Sequence, residues 1–415
     1  MTLHPVLERL FGRWNEAEVV WALLRVPDDP ARPEGDLDIL LEQRTAFAAQ
    51  RIARRLGFVP VPGYRHDLHL LQFHRETGRW LWLHCVTELA FGPYRAVRPG
   101  FEKRWLAGRR AAGSISTLAP GDEFWITLLH ALLDRGRLGG RAQRRLAATA
   151  AEADPESPLG AALQDLLPEG WTPGSLLERA RARTWNELDG AALAIREAAE
   201  RRGRPPLPSR ILGRLARDGA ALRRVRRARG VSVALLGPDG AGKSTLAQGL
   251  QESFVFPVRQ IRMGLTSGWL HRVDRLRVPG VVRIGRLLVI WGRYLQAQYH
   301  IHRGRLVVFD RYIFDAEVPP PYALSRWGRW ARWIDGRACP APDLVLVLDA
   351  PGSVMHTRKG EYTPETLEDW RQRFLGLQHQ LRNVEVLDTT LAAEVVRTEA
   401  IDRIWRVYAK RWGHR

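Results

Sequence analysis

The chain has only two cysteines in 415 residues, Cys85 and Cys339. They lie far apart and lack a partnering Cys or Cys-His spacing, which excludes a disulfide framework and a structural zinc site and leaves two buried thiols. Long hydrophobic runs are also missing. Crossing a bilayer takes roughly 18 to 20 apolar residues, and the best stretch, Leu287 to Trp291, is bracketed by Arg286 and Arg293. Met1 to Trp14 carries Glu8, Arg9 and Arg13 where a secretory signal has its apolar core, so a cytoplasmic protein is expected. Acids are the scarcer charge: 45 Asp and Glu stand against 64 Lys and Arg, most of them arginine, for a formal charge of +19. That surplus favours an anionic partner, whether phosphorylated small molecule, nucleic acid or acidic membrane surface.

What is present is the composition of a folded protein, 45% hydrophobic and 26% charged, in a chain long enough for two cores and a smaller helical piece. Residues 1–118 read as an α/β domain. Glu18 to Val26 and Leu37 to Leu41 are strand-like, Arg44 to Leu56 is helix-like, and Arg79 to Glu88 alternates bulky apolar residues. Residues 119–202 read as a helical subdomain punctuated by Pro155, Pro158, Pro168 and Pro173. Residues 203–229 read as a basic linker, since between Arg201 and Gly230 eleven arginines face one acid, Asp218. The linker lacks the interleaved aromatics of a nucleic-acid arm. In residues 230–415 the apolar strands Val231 to Leu236, Leu306 to Phe309 and Leu344 to Leu348 are separated by helical lengths, which predicts a doubly wound parallel sheet with ligands at the strands' carboxyl ends.

Gly237-Pro-Asp-Gly-Ala-Gly242-Lys243-Ser244 is a complete Walker A pattern between a strand and a helix. Gly237, Gly240, Ala241, Gly242, Lys243, Ser244 and Thr245 are the expected ATP-binding residues, with backbone N–H groups wrapping the phosphates, Lys243 bridging the β and γ phosphates and Ser244 ligating Mg²⁺. Leu306-Val-Val-Phe-Asp310-Arg311-Tyr312 delivers an acid and an arginine at a strand end. Asp310 is expected to hold the Mg²⁺ shell or take the acceptor's proton, and Arg311 to pair with an anionic group on a small acceptor. Asp349 then precedes His356-Thr-Arg358-Lys359-Gly-Glu361, a basic segment suited to a lid over the triphosphate, with Arg358 and Lys359 as its cations.

Together these pieces resemble the thymidylate kinase family and its thymidylate-kinase-like relatives over residues 230–415. The resemblance implies an ATP-dependent kinase, assigns Asp239 to the acidic loop position that contacts the acceptor, and, because Gly240 stands where one subgroup carries an arginine, places the catalytic arginine at Arg358. Past Tyr312 the chain reads Ile313-Phe-Asp-Ala-Glu-Val-Pro-Pro-Pro-Tyr322, without the Ser and Ala-Tyr-Gln pattern of true thymidylate kinases. This variant looks like kinase-like proteins of bacterial surface-polysaccharide functions, a resemblance that leaves the acceptor open among nucleoside monophosphate-like molecules, sugars and sugar phosphates. The alternative is a nucleotide-gated binding protein that contacts nucleic acid or anionic membrane.

In the amino-terminal half, Gly35-Asp36-Leu37-Asp38 resembles the Asp-x-Asp strand of the nucleotidyltransferase superfamily, with Asp36 and Asp38 on one strand face as Mg²⁺ ligands. Leu23-Leu24-Arg25-Val26-Pro27 replaces that family's Gly-Ser motif. Where the family has a third carboxylate, the strand Trp80-Leu-Trp-Leu-His84-Cys-Val offers His84. The helix from Phe124 to His130 resembles the superfamily's helical extension. Finally, Arg326-Trp-Gly-Arg-Trp-Ala-Arg-Trp333 gathers three indoles near one helix face. The expected reading is a helix packing them against the sheet; the other is a helix lying at a membrane interface.

Overall fold

The computed structural model describes residues 2–61, 67–203, 229–263, 279–316 and 325–413, with side chains from residue 284 onward in the helix that begins at Pro279. Residues 204–228 of the basic linker and 317–322 of the stretch after Tyr312 lie outside these described residues. The chain divides into two compact units, residues 1–72 with 81–220, and residues 73–80 with 221–415.

The first unit carries a mixed sheet of β1 (Trp21–Leu23), β2 (Asp36–Leu41), β3 (Val59–Pro60), β4 (Leu68–His74), β5 (Arg79–Val86), β6 (Arg110–Ala112) and β7 (Ile115–Thr117), in the order β3-β4-β5-β2-β1-β7-β6. The strand expected over Glu18 to Val26 shrinks to β1, because Glu18 takes a left-handed turn at φ 52° and only Trp21 to Leu23 pair with β2. Alternation in β2 decides where its acids go. Leu37, Ile39 and Leu41 join a cluster with Leu7, Phe11 and Trp14 of α1 (Pro5–Glu16) and with Ala49 and Ala53 of α2 (Ala46–Arg55). Asp36, Asp38 and Leu40 therefore share the opposite face. On that side Leu40 packs with buried residues of α3 (Glu102–Ala107), α4 (Pro120–Leu129), α5 (Gly140–Thr149), α6 (Pro158–Gln164), α7 (Pro173–Ala182) and α8 (Trp185–Gly203). Two of the four punctuating prolines mark helix starts: Pro158 and Pro173 occupy first-turn positions behind the capping hydroxyls of Ser157 and Thr172, whereas Pro155 and Pro168 lie outside helices.

The second unit is a five-stranded, wholly parallel sheet in the order β12-β11-β8-β10-β9. Its strands are β8 (Ser232–Leu236), β9 (Val258–Arg262), β10 (Leu306–Asp310), β11 (Leu344–Asp349) and β12 (Val384–Asp388), and its helices are α9 (Lys243–Ser253), α10 (Pro279–His302), α11 (Arg326–Asp335), α12 (Gly352–Lys359), α13 (Pro364–Gly376) and α14 (Ala393–Gly413). Every residue of β8 is buried, as a strand covered on both faces requires. It pairs with β10 on one side and β11 on the other, so the loops leaving these three strands meet at one edge.

Two expectations are corrected. The indoles of α11 do not pack on the sheet: Trp327, Trp330 and Trp333 are 76%, 50% and 55% exposed. A three-residue spacing sweeps them around one arc, while the inward arc holds buried Asp335 and half-buried Arg332. The segment read as a lid loop is largely helical, because α12 runs through Lys359 and ends on left-handed Gly360 before Thr363 caps α13. Both thiols are free and buried. Among the described residues no helix is long and apolar enough to cross a membrane.

The buried phenol of Tyr408 on α14 accepts the N–H of Val231 at 3.2 Å, securing the chain where it enters β8. Tyr408→Phe strands that buried N–H, and urea unfolding of the second unit is expected to show a loss of about 1–3 kcal/mol with an unchanged far-UV spectrum.

Candidate active site

Burial of β8 delivers Gly237 rigidly to the sheet edge, where the backbone must turn through conformations that a side chain resists. Gly240 illustrates the constraint: φ is +87°, and a Cβ there would sit 2.5 Å from the carbonyl oxygen of Met355 on α12. Gly242, at φ 95°, precedes α9 without any side-chain cap. The first-turn N–H groups of that helix, with the positive end of its dipole, are therefore available to an anion. Lys243 is 7% exposed, and its ammonium donates to the carbonyls of Gly237 and Pro238 at 2.7 Å each. Burial, reinforced by the charge of Arg311, pushes its pKa down to about 8. Ser244 and Thr245 lie exposed on the first turn of α9.

Across the loop, β10 ends on Asp310, in register with Leu235 of β8. Arg311 follows with φ 65°, a strained conformation for a residue with a side chain, and its guanidinium donates to Asp239 at 2.6 Å. Lys243 and Lys359 each stand 3.8 Å from the same carboxylate. Burial alone would raise the pKa of Asp239, but Arg311, Lys243 and Lys359 hold it below the usual range. Asp315 lies 3.8 Å from the other side of Arg311, and burial raises its pKa to about 6 despite Arg311 and Lys243. Sequence reasoning did not single out Asp315; its one signal was an acid five residues beyond Asp310 in an apolar stretch.

The two cations expected in a lid point to different places. Lys359 faces Asp239, whereas Arg358 donates to the Thr389 carbonyl at 2.7 Å. Arg358 thereby lines a 290 Å³ cleft with Gly242, Thr245, Leu246, Leu348 and Thr389. The loop after β12 supplies Thr389 and Leu391 to this cleft, and no motif in the sequence announced them. Asp349 is committed elsewhere, held by two guanidinium nitrogens of Arg371.

In the first unit, Asp36 is exposed, while Asp38 is ion-paired with Arg25 and lies 2.8 Å from His84 Nδ1. His84 Nε2 stands 3.3 Å from Asp67, and the ring stacks on His69 at 4.4 Å. Ligand atoms of Asp36, Asp38 and His84, and of Asp67, His69 and His84, lie within 4.8 Å of one another, so either set has the spacing of a metal site. The charge state is already balanced without an ion. Burial opposes ionisation of both partners, yet hydrogen bonds from His84 and Arg25 hold Asp38 down to about 2, and those to Asp38 and Asp67 raise His84 to about 9. A divalent cation held by either set would replace the proton on His84, because only a neutral imidazole ligates a metal. His69 accepts from Trp82 at 2.9 Å, and burial and the His84 charge lower it to about 4. His130 pairs with Asp134 at 2.9 Å.

Neither a protein-family model nor a curated protein matches the chain. Among solved structures, the thymidylate kinase of Candida albicans is similar at 18% identity with a TM-score of 0.36, covering 45% of this chain and 94% of that one.

The folded-state pKa of His84 lies above its ordinary 6.5, so its stabilisation is complete below that value and disappears as pH rises through about 9. Unfolding midpoints measured against pH should show the gap between the wild type and His84→Gln widest below about pH 6.5 and closed above about pH 9.

Proposed function

We propose that the second unit is an ATP-dependent kinase that transfers the γ-phosphoryl group to a small acceptor. The observation that carries the reading is the glycine loop: its uncapped helix and buried Lys243 face the Asp239–Arg311 pair across one sheet edge. The loop's N–H groups and Lys243 bind and orient the triphosphate. The cleft under Arg358 takes the base, its guanidinium lying flat against a planar ring. Ser244 and Asp310 present hydroxyl and carboxylate oxygens, the hard donors that suit Mg²⁺. When bound, that ion neutralises charge on the β and γ oxygens.

On the acceptor side, Arg311 and Asp239 form a fixed ion pair that offers a donor and an acceptor of hydrogen bonds to the incoming molecule, with Asp315 behind. In the transfer, an acceptor oxygen bonds to the γ phosphorus as the bridge to the β phosphate breaks, releasing ADP. Asp310 either helps hold the ion or takes the proton of an acceptor hydroxyl; an acceptor phosphate oxygen is already ionised and needs no base. Lys359, which faces Asp239 at the same 3.8 Å as Lys243, joins Lys243 in balancing charge on the transferring group, the role that the resemblance gives to Arg358.

Purified full-length protein with ATP and Mg²⁺, challenged with nucleoside monophosphates, sugars and sugar phosphates, should release ADP in an acceptor-dependent way. Lys243→Ala and Asp310→Asn should each lower that rate by about 10²-fold or more; ADP release indifferent to both substitutions would remove the reading. Arg358→Ala should raise KM for ATP with kcat nearly unchanged, and Lys359→Ala should lower kcat instead. In calorimetric titrations, ATP affinity should weaken as pH rises through about 8, where the Lys243 ammonium loses its proton.

A further inference from the structure

Helix α11 has an outward face made of two kinds of side chain. Ser325 caps it by accepting the Gly328 N–H at 3.1 Å, and its one acid, Asp335, is 4% exposed. The exposed positions are Arg326, Trp327, Arg329, Trp330 and Trp333, followed by Arg337 just beyond the end. Elsewhere Trp14, Trp21, Trp105 and Trp125 are fully buried, while Trp291 on α10 is 46% exposed. On α11 they are ordered at the surface: the Trp327 and Trp330 rings meet edge to face at 5.5 Å, and the Arg337 guanidinium lies 4.7 Å over Trp333.

We infer that α11 docks the protein onto an anionic membrane surface. An indole joins an apolar body to one N–H donor and is most stable in the headgroup layer, where both ends find partners. Arginines among the indoles meet lipid phosphates in the same layer. The helix is about 15 Å long, enough to lie in the interface plane, and a membrane asks of it no shape complementarity. Attachment is to the surface, because no described helix can span the bilayer. The helix is also tied to the candidate site from its inward side: Arg332 of α11 donates to the backbone carbonyl of Asp315 at 2.8 Å. An enzyme held this way would work beside an anionic lipid surface.

The test is co-sedimentation of the full-length protein with vesicles of phosphatidylcholine alone or mixed with phosphatidylglycerol. Binding to the mixed vesicles should exceed binding to phosphatidylcholine by at least about tenfold and fall steeply with salt. Trp327→Ser/Trp330→Ser/Trp333→Ser should abolish most of it while leaving the far-UV spectrum and thermal midpoint intact. Arg326→Glu/Arg329→Glu should erase the preference for phosphatidylglycerol, and serves alone should the triple variant fail to fold. Equal binding to both vesicles, or binding that ignores these substitutions, overturns the proposal. It is equally overturned if the indoles prove to drive self-association in sedimentation velocity, or binding to a DNA duplex, with no vesicle binding.

Discussion

Parallel pairing of a fully buried strand with a neighbour on each side is the constraint on which the second unit depends. Because β8 lies between β10 and β11, all running one way, the turns that follow them must emerge together. Segments seventy and more residues apart in the chain then share one edge. Asp239 reaches Arg311, and Gly240 approaches Met355 so closely that a methyl group would not fit. The glycine is needed for packing of the loop against helix α12, which a motif alone does not reveal.

Charge is managed by the same means in both units. A strongly basic chain sets these two half-buried carboxylates where cations compensate them: Asp239 among Arg311, Lys243 and Lys359, and Asp38 between Arg25 and His84. Desolvation penalises each group separately, and hydrogen bonds between opposite charges offset it. The outcomes differ. Around Asp239 the cations border a glycine loop and a helix end that can receive phosphate. At Asp38 the side chains of His84 and Arg25 lie against the two carboxylate oxygens, on a strand pattern that resembles a metal site.

Much of the second unit was legible because its signals are local. A run of apolar residues followed by glycines, Lys243 and a helical pattern needs no distant information, and neither do the apolar strands that end at Asp310 and Asp349. The alternation that puts Asp36 and Asp38 on one face of β2 was equally readable. The division of labour between Arg358 and Lys359 was not, since adjacent residues at a helix end point about 100° apart and only the neighbours at Thr389 and Asp239 distinguish them. Asp315 and the loop after β12 belong to the site through position alone. The indoles of α11 show the converse: periodicity placed them on an arc, but which arc faces the sheet depends on packing.

The sequence by itself determined the glycine loop, the acid and arginine at the end of β10, the parallel character of the second sheet and the shared face of Asp36 and Asp38, because each follows from residue chemistry and short-range periodicity. Tertiary structure alone decided which charges meet, which cation turns toward the loop and which toward the cleft, and which aromatics remain in water. Those depend on strand order and on the desolvation of groups brought together from distant parts of the chain.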